Sequence, residues 1–302
     1  MLEETGKSFK SGFVSIIGRT NVGKSTLLNQ LIKQKISIIS DKPQTTRNRI
    51  VGIYTTEQAQ IIFVDTPGFH KPQFKLNEMM MEIARKSLEG VDIILYVVEP
   101  EAKVGAGDQY ILAQLQKITT PVILVINKID TIQKNRILPV IEVYRHLYPF
   151  REIVPVSALT GENIETLLDC LITYLPEGPK YYPEDMITDQ PERVIMAELI
   201  REKILQKTQE EIPYSVAVVV EKMDYNQERN LYTIQATIYV EKDSQKAIVI
   251  GKGGQMLKQI GTLARQEMEA ILGSQVYLEL WVKVKKNWRM DERSLRAMIY
   301  QT

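Results

Sequence analysis

Between residues 12 and 175, short apolar runs alternate with stretches whose apolar positions recur every three or four residues. The runs at 13–17, 49–55, 60–65, 92–98, 121–127 and 152–156 read as buried strands. The intervening spacing predicts helices near 24–34, 76–88, 107–117, 135–148 and 163–175. Such alternation predicts an α/β domain with a mostly parallel sheet covered on both faces, binding its ligand at the carboxyl ends of the strands. From Pro176 to Pro191 the pattern lapses: Pro176, Gly178, Pro179, Pro183 and Pro191 crowd a stretch with few apolar residues, which reads as a linker. Then it resets. A helix is expected near 194–207, and strands at 214–222 and 231–241 joined by a polar turn. A helical pair is expected around Gly251-Lys252-Gly253-Gly254, then a strand at 275–284 and a terminal helix near 291–299. The expected organisation is a first domain over 1–177, a linker over 178–191 and a smaller α+β domain over 192–302.

Bulk composition narrows the picture only slightly. A chain of 302 residues fits two domains, and a net charge of +1 gives no global case for nucleic acid or membrane. The lone cysteine, Cys170, excludes an internal disulfide and fits a reducing, cytoplasmic setting. The first residues lack the basic start and apolar run of a signal peptide, and no apolar stretch approaches the ~18 residues of a membrane span.

The chemistry starts where the first strand ends. Gly18-Arg19-Thr20-Asn21-Val22-Gly23-Lys24-Ser25-Thr26 has the Gly-x-x-x-x-Gly-Lys-Ser spacing of a phosphate-binding loop, between a strand and a helix. Its glycines let successive backbone N–H groups converge on one anion, and the helix N-terminus adds positive potential. Lys24 can bridge the outer phosphates, and the Ser25 hydroxyl can hold a magnesium ion. Asp65-Thr66-Pro67-Gly68 follows the third strand: Asp65 is placed to hold the magnesium through a water, and the Gly68 N–H to sense a terminal phosphate. In Gln44-Thr45-Thr46-Arg47, one threonine hydroxyl can complete the metal's shell; Thr46 is favoured over Thr45. Asn127-Lys128-Ile129-Asp130 ends the fifth strand. The Asp130 carboxylate can accept from N1–H and the exocyclic amine of guanine, whereas adenine lacks that amine. Asn127 supports the loop, the Lys128 stem can lie along the base, and the N–H groups at Ser157-Ala158 can meet the guanine O6.

The order and spacing of these five elements resemble the translation-factor-type P-loop GTPases over about residues 10–175. The resemblance implies GTP hydrolysis by in-line attack of water, with charge neutralised by Lys24 and magnesium. Phe69 stands where Ras-like enzymes carry a water-orienting glutamine, so slow intrinsic turnover is expected. Neighbouring His70 is read as inert. In related GTPases with a hydrophobic residue here, an asparagine in the phosphate loop helps bind potassium, and Asn21 is the candidate. Lys24, Asn21 and Thr46 are thus the expected catalytic residues.

In the second domain, Gly251-Lys252-Gly253-Gly254 is a Gly-x-x-Gly loop between two helical stretches, and the element order resembles a KH domain of the second topological type. The resemblance implies that RNA backbone approaches this loop while bases lie on an apolar groove. Most of Met256, Leu257, Ile260, Leu263 and Met268 are expected in the core. From 245 to 302, ten Lys or Arg face five acids, a basic balance of +5 that suits phosphate backbone. Lys283, Lys285 and Lys286 join the loop as candidate RNA contacts, and Trp288 is either a stacking platform or a packed residue. A GTPase followed by a KH domain resembles a family of bacterial GTPases that assist small ribosomal subunit assembly. The match includes Pro213-Tyr214-Ser215-Val216 and the run from Leu278 to Lys285. Implied are binding near the 3′ end of small-subunit ribosomal RNA, a cytoplasmic location and some peripheral membrane association. A monomer is expected, with switch loops near 40–49 and 65–80 repositioning the KH domain.

Overall fold

The computed structural model describes residues 8–69 and 74–300; His70 lies outside them. The described residues divide into two compact units. The first takes 8–37, 46–69 and 80–189, and the second takes 38–45, 74–79 and 190–300.

The first unit is built on β1 (Lys10–Gly18), β2 (Ile50–Thr55), β3 (Ala59–Asp65), β4 (Ile93–Val98), β5 (Val122–Ile126) and β6 (Glu152–Pro155), in the order β2-β3-β1-β4-β5-β6. β2 pairs antiparallel with β3, and the other pairs are parallel. The helices are α1 (Lys24–Ile32), α2 (Lys75–Lys86), α3 (Ala106–Leu115), α4 (Ile137–Arg145) and α5 (Ile164–Tyr174). β4 shows why the strands read as unbroken apolar runs. Ile93, Leu95 and Val97 pack with Leu27 and Leu31 of α1 and Leu167 and Leu171 of α5. Ile94, Tyr96 and Val98 face the other core, with Ile111 and Leu115 of α3 and Val140 and Tyr144 of α4. A strand sandwiched between helix layers has no polar face to show. Each such buried side chain contributes roughly 1.5–3 kcal/mol.

Most of the stretch read as a linker is docked. Ser11 Oγ donates to the Pro179 carbonyl at 2.6 Å, and the buried Gln60 amide bonds Tyr181 and Tyr182 backbone at 2.7–3.0 Å. The Ile53 N–H donates to the Ile187 carbonyl at 2.8 Å and Thr188 Oγ1 to the Val51 carbonyl at 2.6 Å. Ile187 and Thr188 thereby satisfy backbone groups of β2 at the edge of the sheet, which would otherwise be unpaired. The proline-rich composition signalled a lack of helix or strand; it carried no information about docking.

The second unit holds α6 (Glu192–Lys207), α7 (Ile212–Ser215), β7 (Ala217–Asn226), β8 (Leu231–Val240), α8 (Asp243–Ile250), α9 (Gln255–Leu272), β9 (Gln275–Val284) and α10 (Glu292–Leu295). Its sheet is ordered β7-β8-β9, antiparallel then parallel. Leu199, Ile200 and Ile204 of α6 and Ile260, Ala264 and Met268 of α9 pack on Ile234, Ala236 and Ile238 of β8. The strand expected from 214 begins three residues later, because 212–215 coil into α7 with Pro213 in its first turn, where a missing N–H costs nothing. The expected terminal helix is one α-turn, its N-terminus held by the Asp291 carboxylate accepting from the Ser294 N–H at 2.9 Å, followed by a wider turn over 296–300. Trp288 is fully buried and donates from Nε1 to the Ser215 carbonyl at 3.1 Å. It is therefore a core residue and unavailable for base stacking.

Candidate functional site

β1 lies at the centre of the sheet, between β3 and β4, so the loop leaving it opens at the strands' carboxyl ends beside the loops after β3, β5 and β6. Gly23, at φ +94°, turns the chain into α1. No acidic side chain occupies that helix's first turn, so its N-terminal N–H groups keep their attraction for an anion. Lys24 is buried and folds back on the carbonyls of Gly18 and Arg19 at 3.3 and 2.8 Å. Burial pulls its pKa down to about 8 against the pull of the Asp65 carboxylate. Burial also pushes Asp65 up to about 6, although Lys24 and the Ser25 hydroxyl favour its ionised form. Both shifts come first from taking the charged forms out of water, and each partner's charge opposes the other's shift.

Ser25, Thr46 and Asp65 converge. Ser25 Oγ lies 2.8 Å from Thr46 Oγ1 and donates to Asp65 Oδ2 at 2.8 Å. Asp65 Oδ1 is buried and has no hydrogen-bond partner among the described residues. Thr45 points elsewhere, donating to the Lys42 carbonyl at 2.6 Å. Thr66 donates to the Ile16 carbonyl at 3.3 Å. A Cβ on Gly68 would come within 2.7 Å of the Thr20 nitrogen, so the loop after β3 lies directly against the phosphate loop. Phe69 is buried with Ile17 and Ile111, and its ring lies 6.0 Å from that of Tyr110. It offers nothing to a water.

At the other end of the cleft, Asn127 joins three loops. It donates from Nδ2 to the Val22 carbonyl at 2.9 Å and accepts at Oδ1 from the Ala158 N–H at 2.9 Å. Ser157 Oγ donates to Asp130 Oδ1 at 2.5 Å and accepts from the Thr160 N–H, which orients the carboxylate. Lys128, at φ +62°, reaches the Asn21 carbonyl at 2.7 Å and Glu99 Oε1 at 2.5 Å. A glycine-bounded loop ahead of a helix N-terminus, a carboxylate–hydroxyl cluster and Asp130 thus lie at the carboxyl ends of the strands, groups of the kind a guanine nucleotide with a metal ion would use.

In the second unit, Gly251, Gly253 and Gly254 take φ of +73°, +59° and +77° between α8 and α9. The glycines at 253 and 254 have open space where a side chain would sit. Lys252, Lys283, Lys285 and Lys286 are exposed. Of the apolar positions beside the loop, Ile260 and Met268 are core, whereas Ile248 is 49% exposed.

Sequence reasoning passed over Glu99 and Asp108, which hold Arg19. A charged residue at the carboxyl end of β4, level with the other loops, was the available signal for Glu99. Asp108 left only a Gly-x-Gly-Asp string at the start of α3. It also passed over Arg201 and Glu202 of α6, both 1% exposed and so unusual for charged helix residues.

Residues 13–128 match the family described as 50S ribosome-binding GTPase, and residues 211–289 match the KH domain. The chain is 54% identical to the GTPase Era of Caldanaerobacter subterraneus over 97% of this chain and 98% of that protein. It is 55% identical to the GTPase Era of Alkaliphilus oremlandii over 97% and 99%. Among solved structures it is similar to Era in complex with MgGDPNP and nucleotides 1506–1542 of 16S ribosomal RNA, at TM-score 0.93 and 45% identity, over 97% of this chain and 99% of that one.

Proposed function

This chain belongs to the Era family of GTPases, and from that membership we propose that its bound nucleotide governs binding of the 3′-end region of small-subunit ribosomal RNA during small-subunit assembly. The observation that carries this reading is the allegiance of residues 38–45. They cluster with the KH-bearing unit. The Ile39 N–H donates to Glu202 Oε1 at 2.8 Å, and Arg201 donates to the Thr45 carbonyl. Asn77 Nδ2 donates to Gln44 Oε1 at 2.8 Å, joining the two stretches expected to switch. The next residue along the chain is Thr46, whose hydroxyl meets Ser25. One peptide bond therefore separates a residue held by α6 from a residue of the candidate metal cluster. A change in what Thr46 binds is transmitted through that bond to α6.

The hydroxyls of Ser25 and Thr46 and the buried carboxylate of Asp65 suit Mg²⁺, a hard ion that takes few protein ligands and completes its shell with phosphate oxygens and water. When bound, the ion neutralises charge developing on the phosphates. Lys24 supplies a further positive charge, and Asp130 selects guanine. With Phe69 committed to the core, intrinsic turnover is slow, and Asn21 contributes to a potassium site that speeds it. RNA backbone approaches Gly251-Lys252-Gly253-Gly254 and the lysines at 283, 285 and 286. The protein acts as a cytoplasmic monomer with peripheral contact to the inner membrane. The crystal structure of the relative with nucleotide and 16S RNA together supports the joint reading. Steady-state GTP turnover, with and without an RNA of the small-subunit 3′ end, tests it. Stimulation is expected, and identical rates would leave the KH unit without influence on the nucleotide site.

A further inference from the structure

Arg19 belongs to the phosphate loop by position, yet its side chain is committed to a separate network. Its Nε lies 3.2 Å from Asp108 Oδ2 and its Nη2 3.5 Å from Glu99 Oε2. Asp108 is 1% exposed. Beside that ion pair, in which Arg19 Nε makes no hydrogen bond among the described residues, its carboxylate accepts from the Tyr96 hydroxyl at 2.8 Å and from the Gly105 N–H at 3.3 Å. A buried carboxylate with this set of donors is well compensated and geometrically fixed. The backbone of α3 is also shaped to the arginine. A Cβ on Gly107 would lie 2.9 Å from Arg19 Cδ, so any larger residue there must push the stem aside. Glu99 then completes the link: its other oxygen accepts from Lys128 Nζ at 2.5 Å, and Lys128 also holds the Asn21 carbonyl.

One carboxylate therefore joins a cation of the phosphate loop to a cation of the loop that carries Asp130. A nucleotide bridging the two must find them at the right separation, and a cleft already fixed there does not spend binding energy on ordering. We propose that Glu99 and Asp108 are positioning residues for guanine-nucleotide binding, bracing the phosphate loop against the base-recognition loop through Arg19 and Lys128. The inference rests on reading those two loops as the nucleotide site. The brace bonds run to Arg19, Lys128, Tyr96 and Gly105 and not to the Ser25–Thr46–Asp65 cluster, so the brace is expected to serve diphosphate and triphosphate alike.

The test compares GDP and GTP affinities, kcat, KM and melting temperature for Glu99→Gln, Asp108→Asn and Gly107→Ala in the full-length protein. Gly107→Ala displaces the Arg19 stem without removing a charge. Each variant is expected to weaken GDP and GTP by the same factor, about tenfold, the order of one charge-assisted hydrogen bond. KM should rise with kcat at saturation held. The melting temperature of the nucleotide-free protein should stay close to that of the unmodified chain for Glu99→Gln, whose carboxylate is part-exposed. It should fall for Asp108→Asn, which leaves Arg19 beside a neutral buried amide, so Glu99→Gln carries the test. For that variant, unchanged affinities, a fall in kcat at constant affinity, or a drop in melting temperature that alone accounts for weaker binding would each overturn the proposal. Asp130→Ala is run alongside. If it too leaves affinity unchanged, the site assignment itself fails; if it alone weakens binding, only the brace does.

Discussion

The side-chain amide of Asn127 occupies the space that a side chain on Gly23 would need: an ideal Cβ there would sit 2.3 Å from Asn127 Nδ2. The phosphate loop and the base-recognition loop are thus fitted to each other at one atom. Gly23→Ala should displace the Asn127 amide from Val22 and Ala158, and lower GTP and GDP affinity by a factor of ten or more on about 1–2 kcal/mol of lost bonding and backbone strain. Asn127→Ala leaves a buried carbonyl and N–H without partners and should cost roughly 2–4 kcal/mol in urea unfolding of the nucleotide-free protein.

Asp130 owes its orientation to Ser157. Asp130→Asn exchanges a double acceptor for one donor and one acceptor. GTP affinity should fall by about a hundredfold or more, since bonds to a charged group contribute roughly 1.5–3 kcal/mol each. Xanthosine triphosphate, whose carbonyl replaces the guanine amine, should gain relative to GTP, and competition binding of the two nucleotides reads this out.

The two threonines at 45 and 46 separate by what their hydroxyls touch. Thr46→Ala removes the hydroxyl beside Ser25 and should raise the magnesium concentration needed for GTP hydrolysis while leaving GDP affinity nearly unchanged. Thr45→Ala removes only a local bond to the Lys42 carbonyl, worth about 1 kcal/mol. Magnesium titrations of turnover distinguish the two.

Asn21 lies in the phosphate loop at φ +66°. If its side chain helps hold potassium, hydrolysis should be faster in KCl than in matched NaCl, and Asn21→Ala should abolish the difference. Equal rates in the two salts for the unmodified protein would dispose of the potassium role.

Much of this was legible in the chain itself. Gly18 to Thr26, Asp65 to Gly68 and Asn127 to Asp130 announce themselves because strand, tight turn and helix must follow in that order for backbone N–H groups to converge. The Gly-x-x-Gly loop is legible for the same reason. The fold of each unit follows from alternation: β4 has no polar face because helices cover both sides. What the sequence hides is long-range pairing of ordinary residues. Only the place of Glu99 at the end of β4 and the Gly-x-Gly-Asp string ending in Asp108 set these acids apart from solvated ones, and neither names a partner; nothing local marks Gln60 as the fastener for residues 181 and 182. Whether Trp288 among lysines stacks or packs stayed open in the sequence because its burial depends on a partner 73 residues away, Ser215. The threonine choice also turned on tertiary contacts that two adjacent identical residues cannot reveal.

The most direct test measures affinity for an RNA of the small-subunit 3′ end in the nucleotide-free, GDP-bound and non-hydrolysable GTP-analogue forms of the full-length protein. Gly253→Asp serves as the control for the RNA face: open space surrounds Gly253, aspartate is among the few side chains that tolerate a φ of +59°, and the added charge opposes RNA phosphate. Binding should be tightest in the triphosphate form, by tenfold or more, and lost in Gly253→Asp with GTP binding intact. Equal RNA affinity in all three nucleotide states would contradict the account.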